Sequence, residues 1–215
     1  MNNKFDFSTI KDFDNHISAS INGYELLDSL VFNIASFFCK NTETVSDLGC
    51  TSGRLISKIA DAYNCKCFGF DLTDNNFLQT TKATLVKQDI TAPDFEIPVS
   101  NLILSVFTLQ FIAYEHRLKV LKKIYASLKK NGALIICEKE IAGNGAIQEV
   151  FTFSNYDYKK RNFSEAEILK KESDLRHIMN PLSSGENLAL LKSAGFKVVE
   201  CFFQSLNFKG WLCLK

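Results

Sequence analysis

Val45-Ser46-Asp47-Leu48-Gly49-Cys50-Thr51-Ser52-Gly53 is followed about twenty residues on by Cys67-Phe68-Gly69-Phe70-Asp71, and no other feature constrains this chain as tightly. A short apolar run ends in an acid and two spaced glycines. Leu55, Ile56, Ile59 and Ala60 then recur at helical spacing, so the glycines fall at a strand-to-helix turn. There the missing side chains let a ligand approach the backbone and the first N–H groups of the helix. The second run places Asp71 at the tip of the next strand, where a carboxylate accepts hydrogen bonds from a ribose diol. The pair reads as a nucleoside-binding unit.

The rest of the chain alternates strand and helix. Thr84–Lys87 reads as a short strand, with Asp89 just past its end, and 102–107 as a buried one. The segment 117–130 is an amphipathic helix carrying Leu118, Leu121, Ile124 and Leu128, stopped by Asn131-Gly132, and 133–137 is the next strand. Apolar strands alternating with helices imply a parallel sheet covered on both faces, with the ligand at the strand C-terminal ends. Asp47, Asp71, Asp89 and Glu138 are expected along that edge. Helices follow at 163–179, opened by Ser164-Glu165-Ala166-Glu167 as a capping box, and at 183–194, closed by Gly195. The tail alternates over 198–203 and 208–213 as a hairpin turning at Ser205-Leu206-Asn207. Ahead of the loop, Phe13, Ile17 and Ile21, then Leu27, Leu30, Val31 and Ile34, mark two helices separated by Gly23. One domain is expected over 1–215, with a helical cap at 1–40 and a helical insertion at 142–182.

At 215 residues the chain suits a single core. Twenty-five basic residues nearly cancel twenty-four acidic ones, which gives no field to attract a polyanion, so direct binding of nucleic acid is not expected. No apolar run reaches the roughly 18 residues of a spanning helix and no signal segment opens the chain, which predicts a cytoplasmic protein without a membrane partner. The seven cysteines, Cys67, Cys137 and Cys213 among them, read as reduced core residues. Cys65-Lys66-Cys67 has no second ligand pair to complete a zinc site.

A dinucleotide fingerprint would be G-x-G-x-x-G, whereas the spacing here is Asp-x-Gly-x-x-x-Gly with Thr51 where a middle glycine would sit. This resembles the first motif of the class I S-adenosylmethionine (SAM) methyltransferases, in which the acid lies near the methionine part of the ligand. The resemblance implies a Rossmann-like α/β fold: a seven-stranded, mostly parallel sheet with helices on both faces and a C-terminal antiparallel hairpin.

Phe107-Thr108-Leu109-Gln110-Phe111, the run 132–139, Asp157-Tyr158-Lys159, Ser164-Glu165-Ala166-Glu167-Ile168, Ala194-Gly195-Phe196 and Phe203-Gln204-Ser205-Leu206-Asn207-Phe208 together resemble the carboxy-SAM synthases. That family makes carboxy-SAM from SAM and prephenate for tRNA wobble-uridine modification. The similarity includes Ile21-Asn22-Gly23-Tyr24 and so covers nearly the whole chain. It implies SAM, or carboxy-SAM, held by Tyr24, Gly49, Cys50, Thr51, Asp71, Leu72, Asp89 and Ile90, with Asp47 and Gly53 completing the loop. It also implies a homodimer through the helices around 165–179.

Two positions depart from the pattern. Val106 stands where the family has an asparagine, and Glu172 stands where it has the arginine that contacts the carboxylate of carboxy-SAM. A carboxylate in place of that clamp is expected to repel carboxy-SAM, unless Lys171 or Arg176 compensates. The leading expectation is therefore a SAM-dependent methyltransferase acting on a small-molecule acceptor. Carboxy-SAM synthesis and a non-catalytic SAM-binding regulatory subunit are the alternatives. Tyr24, Glu138 and Tyr158 are the candidate catalytic residues, because the resemblance places them around the pocket. His16, His116, His177 and the run Lys159-Lys160-Arg161 read as solvated helix faces, and Phe151, Phe153 and Tyr156 as pocket wall or core.

Overall fold

The computed structural model describes residues 13–40, 42–79, 81–176 and 178–215. Strands β1 (Thr44–Leu48), β2 (Lys66–Asp71), β3 (Thr84–Lys87), β4 (Ser100–Val106), β5 (Leu128–Ile141), β7 (Val198–Ser205) and β8 (Phe208–Leu214) lie in the order β3-β2-β1-β4-β5-β8-β7. The two residues of β6 (Leu182–Ser183) pair with the end of β5. Pairing is parallel from β3 through β5 and antiparallel for the hairpin β7–β8 against β5. The order reverses between β1 and β4, which opens a crevice at their C-terminal ends.

The continuous apolar runs follow from burial on both faces. Alternate residues of the central strands feed two cores: Leu102, Leu104, Ala133, Ile135 and Cys137 face one, and Ile103, Leu134 and Ile136 the other. Helices α2 (Tyr24–Ala35) and α3 (Arg54–Tyr63) cover the first face through Leu27, Val31, Ile56 and Ile59. Helices α4 (Tyr114–Ser127) and α7 (Ser184–Ala194) cover the second through Val120, Leu121, Ile124 and Leu191. Helices α1 (Phe13–Ser20), α5 (Gly145–Lys159) and α6 (Glu165–Leu175) are additions to this sandwich.

The capping boxes at Ser164 and Ser183 are formed, each with its glutamate three residues on, and Gly195 ends α7 at φ +121°. Among the boundaries that differ from the sequence reading, two are set by β5. Helix α4 ends at Ser127, before Asn131-Gly132, because Leu128 already pairs with Ser100 at the foot of β4. Strand β5 runs on past Cys137 to Ile141, since β8 pairs with it as far as Lys139. Asn207 pins the hairpin turn, its Nδ2 donating to the Glu140 carbonyl at 2.8 Å. Among the described residues no helix is long and apolar enough to cross a membrane.

Candidate functional site

A cavity of about 620 Å³ opens at the crevice, within the size range of small-molecule sites. Its floor is the loop after β1. Gly49 and Gly53 sit at φ +80° and +77°, and Thr51 between them also has a positive φ of +51°. A Cβ on Gly49 would lie 2.3 Å from Thr108 Oγ1, so the loop packs directly on the turn that follows β4. The Thr51 N–H donates to Asp71 Oδ2 at 2.8 Å, and the Thr73 N–H to Oδ1 at 3.1 Å. Burial raises the Asp71 carboxyl above its usual range, opposed by these amides. Asp47, near the end of β1, is buried at the cavity wall. Burial first, and then the Asp71 charge, push its pKa up to about 7 against the pull of Arg54.

Arg54 opens α3 and ties the cap to the loop. Its guanidinium reaches Asp14 on α1 at 2.9 Å and Asp28 on α2 at 2.5 Å. Tyr24 begins α2 beside Phe107, with ring centroids 6.5 Å apart. Its hydroxyl pKa is pushed up to about 12, chiefly by burial.

The cavity wall brings together Tyr24, Asp47, Gly49, Cys50, Thr51, Asp71, Leu72, Asp89, Ile90 and Val106. Gly53 is not part of the wall. It lies beneath the loop, where a Cβ would meet Leu85 at 2.6 Å. Neither Glu138 nor Tyr158 lines the cavity. Glu138 shares its face of β5 with Leu134 and Ile136, accepts the Leu109 N–H at 3.1 Å in the second core, and has its pKa raised to about 8 by burial, which outweighs Arg117. Tyr158 spends its hydroxyl on the Ser18 carbonyl at 2.7 Å, joining α5 to α1. The expectation that these two groups face the reacting centre is corrected on these grounds.

His16 and Lys159, which the sequence assigned to solvated helix faces, line the cavity instead. Lys139, Lys159, Lys171, Glu172 and His16 form a polar stretch of its wall, beside Leu175, Ile178, Met179 and Phe208. Glu172 Oε1 receives Lys159 Nζ at 2.7 Å, and its Oε2 lies 3.7 Å from Lys139 Nζ. Burial disfavours the Glu172 charge, but Lys139 and Lys159 outweigh it and hold the carboxyl below its usual range. The Glu172 carboxylate is thus a charged counter-ion to Lys159 and Lys139, two lysines that the expectation at this position did not include. Lys171 lies in the wall and contacts His16 Nε2, whereas Arg176 lies outside it. Burial, then Lys159, lower the Lys171 pKa to about 8; burial, then Lys171, lower that of His16 to about 4. His116 sits exposed at the rim, and His177 lies outside the described residues. Phe151, Phe153 and Tyr156 do not reach the cavity, and Phe153 is largely exposed.

The donor set fits a nucleoside with a cationic tail. Carboxylates cluster at the loop, a glycine backbone is open to close approach, and Ile90 offers an apolar side beside Asp89.

Comparison with known proteins agrees with this geometry. The sequence profile described as "Methyltransferase domain" matches residues 45–132. Carboxy-S-adenosyl-L-methionine synthase of Wolinella succinogenes is 32% identical, covering 99% of this chain and 93% of that protein. The protein of the same name from Nautilia profundicola is 30% identical, with 99% and 94% covered. Among solved structures, human N-acetylserotonin methyltransferase in complex with SAM superposes with a TM-score of 0.61 at 19% identity, over 91% of this chain and 52% of that one. CalO1, a methyltransferase in calicheamicin biosynthesis in its SAH-bound form, gives a TM-score of 0.58 at 12% identity, over 89% and 55%. The chain spans about half the length of these two structures, and the likeness establishes the Rossmann-like methyltransferase fold.

Proposed function

The chain belongs to the carboxy-S-adenosyl-L-methionine synthase family, and from that premise we propose that it transfers a group between SAM, bound along the Gly49 loop, and a small molecule held beneath α1, α5 and α6. Its class is that of the SAM-dependent transferases. The observation that carries the reading is the coupling of the glycine loop to Asp71, whose carboxylate is fixed by two amides and borders the cavity. Asp71 holds the ribose, Asp89 and Ile90 flank the base, and Asp47 faces the cationic methionine end. SAM supplies an electrophilic methyl carbon on its sulfonium, so the protein's task is to align an acceptor with it and exclude water. Tyr24 and Phe107 wall the junction between donor and acceptor. In this reading the chain is one domain, with the described part of the 1–40 cap, helices α1 and α2, and helices α5 and α6 of the 142–182 insertion supplying the cover over the acceptor; residues 1–12 of the cap lie outside the described residues. It acts in the cytoplasm, as a homodimer formed through 165–179.

Two reactions are compatible with this layout. Methyl transfer is favoured by Val106, which places an apolar wall beside the loop. Carboxy-SAM synthesis is favoured by the lysines that neutralise Glu172, because they remove the charge conflict at the position of the family's arginine. Incubating the protein with SAM and prephenate, with mass spectrometry of the nucleoside, separates them. Carboxy-SAM as product rules out a plain methyltransferase, and unchanged SAM rules out the synthase. Calorimetry with SAM tests the shared premise, with Asp71→Ala as the variant that loses binding.

A further inference from the structure

We propose that Gln110 is a binding residue for the second substrate, its side-chain Nε2 donating a hydrogen bond to a carbonyl oxygen of that molecule. The inference rests on the SAM placement above and adds to it one contact on the acceptor.

Gln110 follows the turn at the end of β4, where Phe107 takes a φ of +56°, a conformation that a bulky residue keeps only when its surroundings hold it there. Gln110 itself is held on several sides. Its N–H joins that of Leu109 on the Glu138 carboxyl group. Its carbonyl accepts from Arg117 Nη2 at 3.2 Å and from the Asn180 N–H at 2.9 Å. Its side-chain Oε1 accepts the Lys139 N–H of β5 at 2.7 Å. A backbone N–H needs an oxygen opposite it, so the carboxamide has one orientation and its NH2 group is the end left over.

Nε2 is the one hydrogen-bonding atom of Gln110 without a partner among the described residues. Gln110 is only 5% exposed, and it lines the cavity. Among the described residues Asn155 Oδ1 is the one sealed side-chain oxygen or nitrogen left unpaired, so Nε2 opens into the cavity and is not closed off in the protein. A fixed and poorly hydrated donor of this kind discriminates strongly in favour of a ligand that brings its acceptor.

The sheet order decides which ligand that is. Asp47 lies on β1, Asp71 ends β2 and Asp89 follows β3, all on one side of β4, whereas the Gln110 carboxamide is anchored to β5 on the other. A molecule that reaches Nε2 therefore sits across β4 from the donor's ribose and base. Phe107, Phe111 and Phe208 share that wall and call for an apolar body. Nε2 only donates and Oε1 is already spent, so this group offers a hydroxyl no place for its own proton. The amide is also uncharged and gives an anion no counter-charge. The ligand class is a small apolar or aromatic molecule bearing a carbonyl oxygen.

The test is an NMR titration of the full-length protein saturated with S-adenosylhomocysteine, following the Gln110 side-chain NH2 signals, assigned through that residue's own side-chain carbons. The probes are acetophenone, α-methylstyrene, in which a CH2 group replaces the carbonyl oxygen, and 1-phenylethanol. Acetophenone is expected to bind about tenfold more tightly than α-methylstyrene and more tightly than the alcohol, and to move the Gln110 NH2 signals, which α-methylstyrene leaves in place. Gln110→Glu keeps an oxygen for the Lys139 amide and removes Nε2. It is expected to reduce the preference for the ketone to less than about threefold while S-adenosylhomocysteine affinity stays within about threefold. Equal binding of ketone and alkene, unmoved Gln110 signals, tighter binding of the alcohol, or a full ketone preference in Gln110→Glu overturns the proposal. So does Gln110→Glu weakening S-adenosylhomocysteine tenfold or more, since the amide would then serve the donor. The titration with S-adenosylhomocysteine comes first: its failure to bind overturns the donor placement, whereas its binding without a ketone preference overturns this proposal alone. The comparison on the unaltered protein does not depend on the variant folding.

Discussion

The backbone N–H of Thr51 donates to Oδ2 of Asp71 across 2.8 Å, so the turn after β1 is held in shape by the tip of β2. The carboxylate therefore has two roles, one toward the loop and one toward a ligand. Asp71→Asn keeps an acceptor for the Thr51 amide but loses the charge, and Asp71→Ala loses both. A charge-assisted hydrogen bond contributes about 1.5–3 kcal/mol, so SAM affinity should fall roughly 10- to 100-fold in the asparagine variant and further in the alanine variant. Calorimetry checks the order, and equal affinity in all three proteins would remove Asp71 from the donor site.

Gly49 tests the loop from the packing side. At φ +80° its conformation is strained for any other residue, and Thr108 is pinned against it because the Thr108 hydroxyl donates to the Leu48 carbonyl at 2.9 Å. Gly49→Ala should destabilise the fold by on the order of 2–4 kcal/mol in urea unfolding. Adding Thr108→Ala should recover the steric part but not the backbone part. Full recovery would show that the positive φ costs nothing.

Glu138 gives a pH-dependent stability with a defined sign. Its carboxyl is raised from an ordinary value of 4.5 to about 8 in the fold, so the native state binds more protons than the unfolded one between those values. Stability must therefore fall as pH rises from about 4.5 to 8. Glu138→Gln keeps an acceptor for the Leu109 amide and removes the titration. It should raise the Tm at pH 8, by on the order of 1–3 kcal/mol of stability, and leave it nearly unchanged at pH 4. A gain of equal size at both pH values would contradict the account.

How far the site could be read from the sequence depends on which physics places each residue. The glycine loop and Asp71 are set by local chain geometry, and their spacing alone marks them. Glu138 was misplaced by the parity of a strand. With β5 running on to Ile141, period-two alternation turns Glu138 into the second core and Lys139 toward the cavity. His16 and Lys159 carry no local mark, whereas Lys171 is marked only as a neighbour of Glu172. In sequence the first two look like the charged faces of solvated helices, and only the packing of α1, α5 and α6 over the crevice turns all three inward.

Tyr158 separates a structural from a catalytic role. Its hydroxyl is committed to the Ser18 carbonyl, so Tyr158→Phe should cost about 1 kcal/mol in unfolding by loosening α5 from α1. S-adenosylhomocysteine affinity should change by less than about threefold. A large loss of affinity at unchanged stability would return Tyr158 to the site.

Asp47 links donor binding to protons. In the ligand-free protein its pKa is about 7, raised by burial and then by Asp71, so near neutral pH a fraction of the molecules carry the carboxyl protonated. A cationic methionine end docking beside it favours the carboxylate, and the proton leaves on binding. Affinity for SAM should therefore rise between about pH 5.5 and 7, where the donor's own α-amino group, with an ordinary pKa of about 7.7–8.0, remains protonated. Calorimetry in two buffers of different ionisation enthalpy measures the released proton directly. Asp47→Asn should abolish both the release and the pH dependence, while weakening binding at pH 7 by about tenfold. Identical binding enthalpies in the two buffers would show that Asp47 does not sense the donor's charge, and would move the methionine end away from the buried acid.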